Sequence, residues 1–142
     1  GANGAYSDLL YVPYGTSKRP LKEQRNDNFL QMKGNEVFKV AVKTLESIAK
    51  DSLKEVNMTS EDIDWFIPHQ ANIRIIQAVS KRLNIPEKKV IISLTDHGNT
   101  SAASIPLALD QSIREGKIKT GDTVLLQSFG AGFTWGTVII KI

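Results

Sequence analysis

The sequence has 142 residues and 41% hydrophobic content, which is the size of one domain with a core of its own. Its formal net charge is +3, from 18 basic and 15 acidic residues, well short of the charge that nucleic-acid binding requires. The absence of cysteine excludes disulfides, iron–sulfur clusters, thiolate zinc sites and a cysteine nucleophile within this sequence.

The start of the sequence, "GANGAYSDLL", has no basic segment followed by an apolar stretch, as a secretory signal would. No apolar run approaches the roughly 20 residues that span a bilayer. We therefore expect a cytoplasmic protein. The first residue is Gly rather than Met, which indicates a processed product or part of a longer chain.

Two regions differ in their patterning. Residues 1–33 are rich in Gly, Asn, Pro and Lys with weak periodicity, which is typical of an irregular N-terminal arm, and one short strand is predicted near residues 9–12. Residues 34–142 form the predicted domain. Its first element is a long amphipathic helix over 35–56, where apolar residues recur at spacings of three, four and seven.

The domain then alternates between strands and helices. A capped turn at 59–62 leads into a strand over 63–68, which is apolar enough to be buried on both faces. A helix over 71–83 ends at Asn84 and Pro86, and a second buried strand is predicted over 90–94.

A third helix ends at Glu115, with Gly116 closing it and Pro106 either bending it or lying in its first turns. The last elements are strands over 123–129 and 133–142, joined by a tight "GAG" connection. This alternation predicts an α/β fold with a mostly parallel sheet and one hairpin at its C-terminal end.

Polar and glycine-rich loops follow the predicted strands directly. His69, the segment 96–99 and the turn 130–132 all lie where such sheets gather their ligands, beyond the carboxyl ends of the strands. Helical spacing also places Asn72 on the apolar stripe of the second helix. Each feature has an ordinary alternative, since Asn72 and Asn99 are good helix caps and a histidine at a strand end is often only structural.

Three familiar kinds of site do not fit these residues. The segment "GAGFTWG" precedes a strand rather than the helix that a dinucleotide site needs. No G-x-S-x-G elbow accompanies Ser101 or Ser128, which argues against a serine triad. Two histidines at unhelpful spacing do not make a metal site.

Four segments resemble the C-terminal half of β-ketoacyl-acyl carrier protein synthase III, a thiolase-like condensing enzyme. They occur in the family's order and extend to the last residues of the chain. The segments are "MKGNEVFKVAV" (32–42), "WFIPHQANIRII" (65–76), "HGNTSAASIPLAL" (97–109) and "FGAGFTWG" (129–136). The resemblance implies one half of a five-layer αβαβα fold.

The resemblance also implies a Cys-His-Asn site whose cysteine lies in the N-terminal half of the family's chain. His69 and Asn99 would be its histidine and asparagine. In this family the imidazole N–H and the amide NH₂ stabilise the enolate that forms when a malonyl thioester loses CO₂. The backbone N–H of Ala131 would serve a second oxyanion, although this chain has Ala where the family usually has Gly, and a positive φ there would strain the turn.

Substrate and partner contacts are implied in the same way. Gly34, Phe38 and Asn72 would contact the pantetheine arm of CoA, and Phe129 would pack near the catalytic histidine or simply in the core. A basic surface would dock the acidic acyl carrier protein. That surface consists of Lys39, Arg74, Lys81 and Arg82. His97 has no implied step and is interpreted as structural.

The implied activity is the condensation of acetyl-CoA with malonyl-acyl carrier protein by a homodimeric parent enzyme that needs no metal or redox cofactor. The chain alone is expected to be inactive. Three alternatives stay open: a non-catalytic half that binds acyl thioesters or a carrier protein, a polyketide-type ketosynthase or other condensing enzyme with another primer, and an interaction domain without catalysis.

Overall fold

A computed structural model describes residues 1–13 and 29–142. The predicted order of elements is confirmed apart from the strand at 90–94. The predicted arm falls partly on residues 14–28, outside the described ranges, and its separation from a domain at residue 34 stays a prediction. The helices are α1 (Gly34–Glu55), α2 (Ile73–Arg82) and α3 (Ser104–Arg114); the strands are β1 (Leu10–Tyr11), β2 (Gln31–Met32), β3 (Trp65–Pro68), β4 (Thr123–Gly130) and β5 (Thr134–Lys141).

The central sheet has the order β3-β4-β5. Strands β3 and β4 are parallel, with Phe66 opposite Leu125, and β4 forms the predicted antiparallel hairpin with β5. The short strands β1 and β2 pair with each other as a separate antiparallel sheet. The sheet is therefore mixed, and the α/β class with a C-terminal hairpin is confirmed.

Helices cover both faces of β3, as its continuous apolar run predicts. Phe66 packs into a cluster built from α1 and α2, whereas its neighbour Ile67 packs on the other face with Ala108 of α3. All three side chains are completely buried. Since β3 is held from both sides, the loop that leaves its carboxyl end starts from a fixed point.

The prediction of a strand over 90–94 is wrong beyond its first residue. Val90 makes a single parallel bridge with Phe66. Beyond it, the side-chain amide of Gln70 donates to the Ile91 carbonyl at 3.1 Å and accepts from the Ser93 N–H at 2.8 Å. Because a side chain satisfies the backbone groups that a neighbouring strand would otherwise pair, the segment stays irregular.

The second helix begins two residues later than predicted. Asn72 is its N-cap and accepts a hydrogen bond from the Arg74 N–H at 2.9 Å. Asn72 is exposed, so its predicted place on the buried stripe is wrong, and the capping alternative is correct. The rest of that stripe is confirmed, since Ile76, Val79 and Leu83 are buried.

Residues 1–13 lie against the glycine turn and β5. Asn3 and Phe133 exchange backbone hydrogen bonds at 2.8 Å, and Leu9 packs with Val37 and the completely buried Phe133. Within the described ranges, none of the helices is both long and apolar enough to cross a membrane.

Candidate active site

A cavity of about 400 Å³ lies beyond the carboxyl ends of β3 and β4. The strand-end loops and the starts of α1 and α2 meet there. Its walls are mainly apolar, and the predicted catalytic, oxyanion and pantetheine residues all line it. These are Gly34, Phe38, His69, Asn72, Asn99 and Ala131.

His69 is the first residue after β3. Its backbone N–H donates to the Gln127 carbonyl of β4 at 2.7 Å, which extends the parallel ladder by one residue. The side chain is half-buried. Burial lowers the pKa of His69 below its usual 6.5, and the nearby Asn99 side chain opposes part of this effect. The lowered pKa favours the neutral imidazole at pH 7, a form with one N–H to donate.

Asn99 reaches the same place from the loop before α3. Its backbone φ is +49°, a left-handed conformation that asparagine tolerates better than most residues. The backbone N–H donates to the carbonyl of Gln70 at 2.8 Å. His69 and Asn99 therefore line the same cavity, and the Asn99 side chain lies close enough to His69 to act on its pKa.

The turn after β4 shows how an alanine is accommodated between two glycines. In the described chain, the positive φ in this turn falls on Gly132, at +134°, and not on Ala131. A Cβ on Gly132 would lie 3.0 Å from Thr134 Cγ2 and 3.2 Å from the Thr134 nitrogen. The expected strain at Ala131 does not arise, because the position that needs glycine still has it.

One wall of the cavity is formed where α1 and α2 begin. Phe38 lies on α1, and the Arg74 guanidinium sits over its ring, 5.6 Å from the centroid. Gly34 starts α1 and Asn72 caps α2. A slender ligand entering here would pass an aromatic ring, a capping carboxamide and exposed backbone.

The four predicted docking residues are all exposed, but one of them is already paired. Arg82 Nη1 donates to Glu46 Oε2 at 2.7 Å. No such ion pair occurs for Lys39, Arg74 or Lys81 within residues 1–13 and 29–142. The net positive surface is therefore smaller than the sequence predicts.

The sequence analysis missed Gln70 and Ser104. Gln70 is completely buried, and its backbone N–H donates to Ser104 Oγ at 2.6 Å. The signal available was a glutamine directly after an apolar strand, next to His69. His97 is exposed, and among residues 1–13 and 29–142 its only hydrogen bond is from its backbone N–H to the Ser93 carbonyl. Phe129 lines the cavity and also packs on Phe133, with ring centroids 4.7 Å apart.

Known proteins match this chain along almost all of its length. The sequence model described as "3-Oxoacyl-[acyl-carrier-protein (ACP)] synthase III C terminal" matches residues 53–142. A β-ketoacyl-[acyl-carrier-protein] synthase III of Alkalilimnicola ehrlichii is 51% identical over 140 residues, and one from Coxiella burnetii is 51% identical over 141. Each match covers 99% of this chain and 43% of the relative, so the chain spans less than half of their length.

Solved structures give the same result. A 3-oxoacyl-[acyl-carrier-protein] synthase III from Aquifex aeolicus aligns with a TM-score of 0.88 at 41% identity, over 100% of this chain and 42% of that one. The priming β-ketosynthase of the R1128 polyketide pathway aligns with a TM-score of 0.91 at 33% identity, over 100% of this chain and 43% of that one.

Proposed function

The chain belongs to the 3-oxoacyl-[acyl-carrier-protein] synthase III family as its C-terminal part, and we propose that it supplies the residues that decarboxylate the malonyl substrate. The observation that carries this proposal is the meeting of His69 and Asn99 side chains in one cavity. Neither His69 nor Asn99 belongs to the three apolar clusters of the described residues.

The proposed step starts with a malonyl thioester whose carbonyl oxygen lies between the two side chains. The bond to the carboxylate carbon breaks, CO₂ leaves, and the electron pair moves onto the thioester oxygen as an enolate. The neutral imidazole and the carboxamide each donate an N–H to that oxygen. Donors fixed in advance stabilise the developing charge without reorganising.

The enolate carbon would then attack an acetyl group carried as a thioester on a cysteine. This chain has no cysteine, so the nucleophile must come from another part of the protein. The tetrahedral oxyanion formed on the acetyl carbonyl would accept the Ala131 N–H, which lies at the cavity edge. Collapse of that intermediate expels the cysteine thiolate and leaves a 3-oxoacyl product on the carrier.

For the whole protein we propose the condensation of acetyl-CoA with malonyl-acyl carrier protein, releasing CO₂ and CoA and forming acetoacetyl-acyl carrier protein. Every charge that develops has a side-chain or backbone donor, so the proposed steps call for no metal or redox cofactor. The pantetheine arm would pass Gly34, Phe38 and Asn72. A cytoplasmic, homodimeric parent enzyme belongs to the same proposal and is supported by the family resemblance alone.

The test uses a full-length synthase that carries this chain as its C-terminal part. H69A and N99A should each lower kcat for malonyl decarboxylation by about 10²- to 10³-fold, the usual result of losing one oxyanion donor. Acetyl transfer from acetyl-CoA to the cysteine should change far less. H97A is the matched control, because that imidazole is exposed and, in the described part of the chain, His97 is bonded through its backbone alone. Decarboxylation at the parental rate in both variants would refute the assignment.

A second candidate is a polyketide-type priming ketosynthase with a different primer. It is favoured by the likeness to the R1128 priming enzyme, with a TM-score of 0.91. Both candidates need the same decarboxylation pair, so His69 and Asn99 do not separate them. Initial rates with acetyl-, propionyl- and longer acyl-CoA primers do, since the fatty acid enzyme proposed here should prefer acetyl-CoA.

A further inference from the structure

Gln70 has an unusual environment for a polar residue next to the site. It is completely buried, and all of its hydrogen-bonding groups are used. Its side-chain NH₂ donates to the Pro68 and Ile91 carbonyls at 2.8 and 3.1 Å, and its Oε1 accepts from the Ser93 N–H at 2.8 Å.

The backbone of Gln70 is bonded on both sides as well. Its N–H donates to Ser104 Oγ at 2.6 Å, and its carbonyl accepts from the Asn99 N–H at 2.8 Å. His69 is the preceding residue. One residue therefore connects the end of β3, the segment 91–93, the loop carrying Asn99 and the start of α3.

The side-chain hydrogen bonds of Gln70 are not needed merely to fill the space that it occupies. Burying a carboxamide is unfavourable unless every group finds a partner, and an apolar side chain of similar size would fill the same space. What an apolar side chain could not do is bond the end of β3 to the segment 91–93, which the Gln70 carboxamide does through three backbone groups. Among the described residues, no β-ladder holds the loop around Asn99. Its position therefore depends on the hydrogen bond from the Asn99 N–H to the Gln70 carbonyl.

We propose that Gln70, together with Ser104, is a positioning residue that holds the loop of Asn99 so that its carboxamide meets the His69 imidazole. The catalytic consequence rests on the function proposed above, whereas the positioning itself does not. Gln70 touches no substrate in this scheme and acts only through its neighbours.

The positioning can be measured on the 142-residue chain itself, because it contains only two histidines. Imidazole NMR titration of labelled protein reports His69, with the exposed His97 as an internal reference. The Asn99 side chain raises the pKa of His69 against the lowering by burial. N99A should therefore lower the pKa of His69 further, and both Q70M and S104A should shift it in the same direction.

A double-mutant cycle decides whether Gln70 and Ser104 act through Asn99. In the N99A background, S104A should give no further change in the pKa of His69. Q70M leaves three buried backbone groups unpaired and is included only if its amide spectrum stays folded; S104A, which removes one acceptor, carries the test otherwise. Q77M on the exposed face of α2 and S112A, buried in α3, are matched controls that should leave the titration unchanged.

The inference is overturned if S104A leaves the His69 titration unchanged, or if its effect persists undiminished in the N99A background. In the full-length synthase, S104A should lower kcat for malonyl decarboxylation by up to about 10²-fold, as expected for a small misplacement of a reacting group. KM and acetyl transfer should stay within about twofold. If H69A and N99A keep full decarboxylation, the proposed function fails while the NMR cycle still decides the positioning.

Discussion

If the basic surface docks an acyl carrier protein, as the family resemblance implies, neutralising two neighbouring basic residues should have unequal effects on that binding. Lys81 and Arg82 both lie in the last turn of α2 and are exposed. Arg82 donates to Glu46 Oε2 at 2.7 Å, and Lys50 and Arg82 together lower the pKa of Glu46. Lys81 forms no ion pair within the described part of the chain, so only Lys81 presents an uncompensated charge.

The size of the difference follows from the value of exposed ion pairs. One such pair contributes about 0.2 to 1 kcal/mol, so K81Q should raise the Kd for an acidic carrier protein by about 1.4- to 5-fold. R82Q should change the Kd by less than about 1.4-fold, because the charge it removes is already balanced by Glu46. Its main effect should be a small loss of stability, because the Glu46 carboxylate loses one of its two partners.

Both residues lie on this chain, so the 142-residue protein can be titrated directly with holo-acyl carrier protein by calorimetry. The difference between K81Q and the parent should disappear near 1 M salt, where the Debye length is about 3 Å. Urea unfolding of R82Q checks its stability. A Kd that rises as much in R82Q as in K81Q, or a K81Q effect that survives 1 M salt, would show that the docking argument is wrong.

Three further predictions concern the glycine turn, the core and the response to acid. A131G should leave the proposed decarboxylation within about twofold of the parental rate and lower the free energy of unfolding by up to about 1 kcal/mol. G132A should lower it more, because φ at Gly132 is +134° and Thr134 lies 3.0 Å from the added Cβ. Urea unfolding compares the two variants, and equal losses would contradict this. I76A removes a side chain that is 1% exposed and should cost about 2–5 kcal/mol in the free energy of unfolding, measured the same way; a cost below about 1 kcal/mol would contradict the packing described. Burial lowers the pKa of His69 in the folded state below its usual 6.5. Between the folded and the unfolded pKa the unfolded state binds more protons, so the free energy of unfolding should rise with pH over that range and fall as the pH drops below about 6.5. Urea midpoints of the parent and H69Q from pH 7.5 to 5 test this, and an identical pH dependence in the two proteins would refute it.

The sequence predicted the elements whose stability comes from their own residues. The stripe of Ile76, Val79 and Leu83 is a local pattern, and burying it requires a helix in that place. The continuous apolar run around Phe66 and Ile67 likewise indicates a strand covered on both faces. These predictions succeeded because periodicity records directly which side of an element faces the core.

The errors come from single long-range hydrogen bonds and ion pairs. Nothing within residues 90–94 shows that the amide of Gln70, more than 20 positions earlier, will pair with their backbone. The pairing of Arg82 with Glu46 spans 36 residues and is equally invisible to composition. The misplaced Asn72 has a different cause, because extending the helical period one turn too far turned an N-cap into a buried position.

The candidate site was largely predictable because the sheet topology determines where the loops after the strands meet. In a sheet with helices on both faces, side chains directly after parallel strands converge at one edge, and that rule placed His69 and the turn at Ala131 correctly. Asn99 follows an irregular segment rather than a strand. Its backbone N–H is bonded to the carbonyl of Gln70, and the one signal for that residue was a glutamine directly after an apolar strand, next to His69.

The two proposed donors, His69 and Asn99, are therefore held in different ways. The backbone of His69 continues the parallel ladder by donating its N–H to the Gln127 carbonyl at 2.7 Å, so the sheet fixes where that residue lies. Asn99 is tied to that framework by its bond to the carbonyl of Gln70, at 2.8 Å, in a left-handed backbone conformation that is easily disturbed. Substitutions in the irregular segment before α3 should thus displace the carboxamide before the imidazole, which makes Asn99 the more fragile half of the pair.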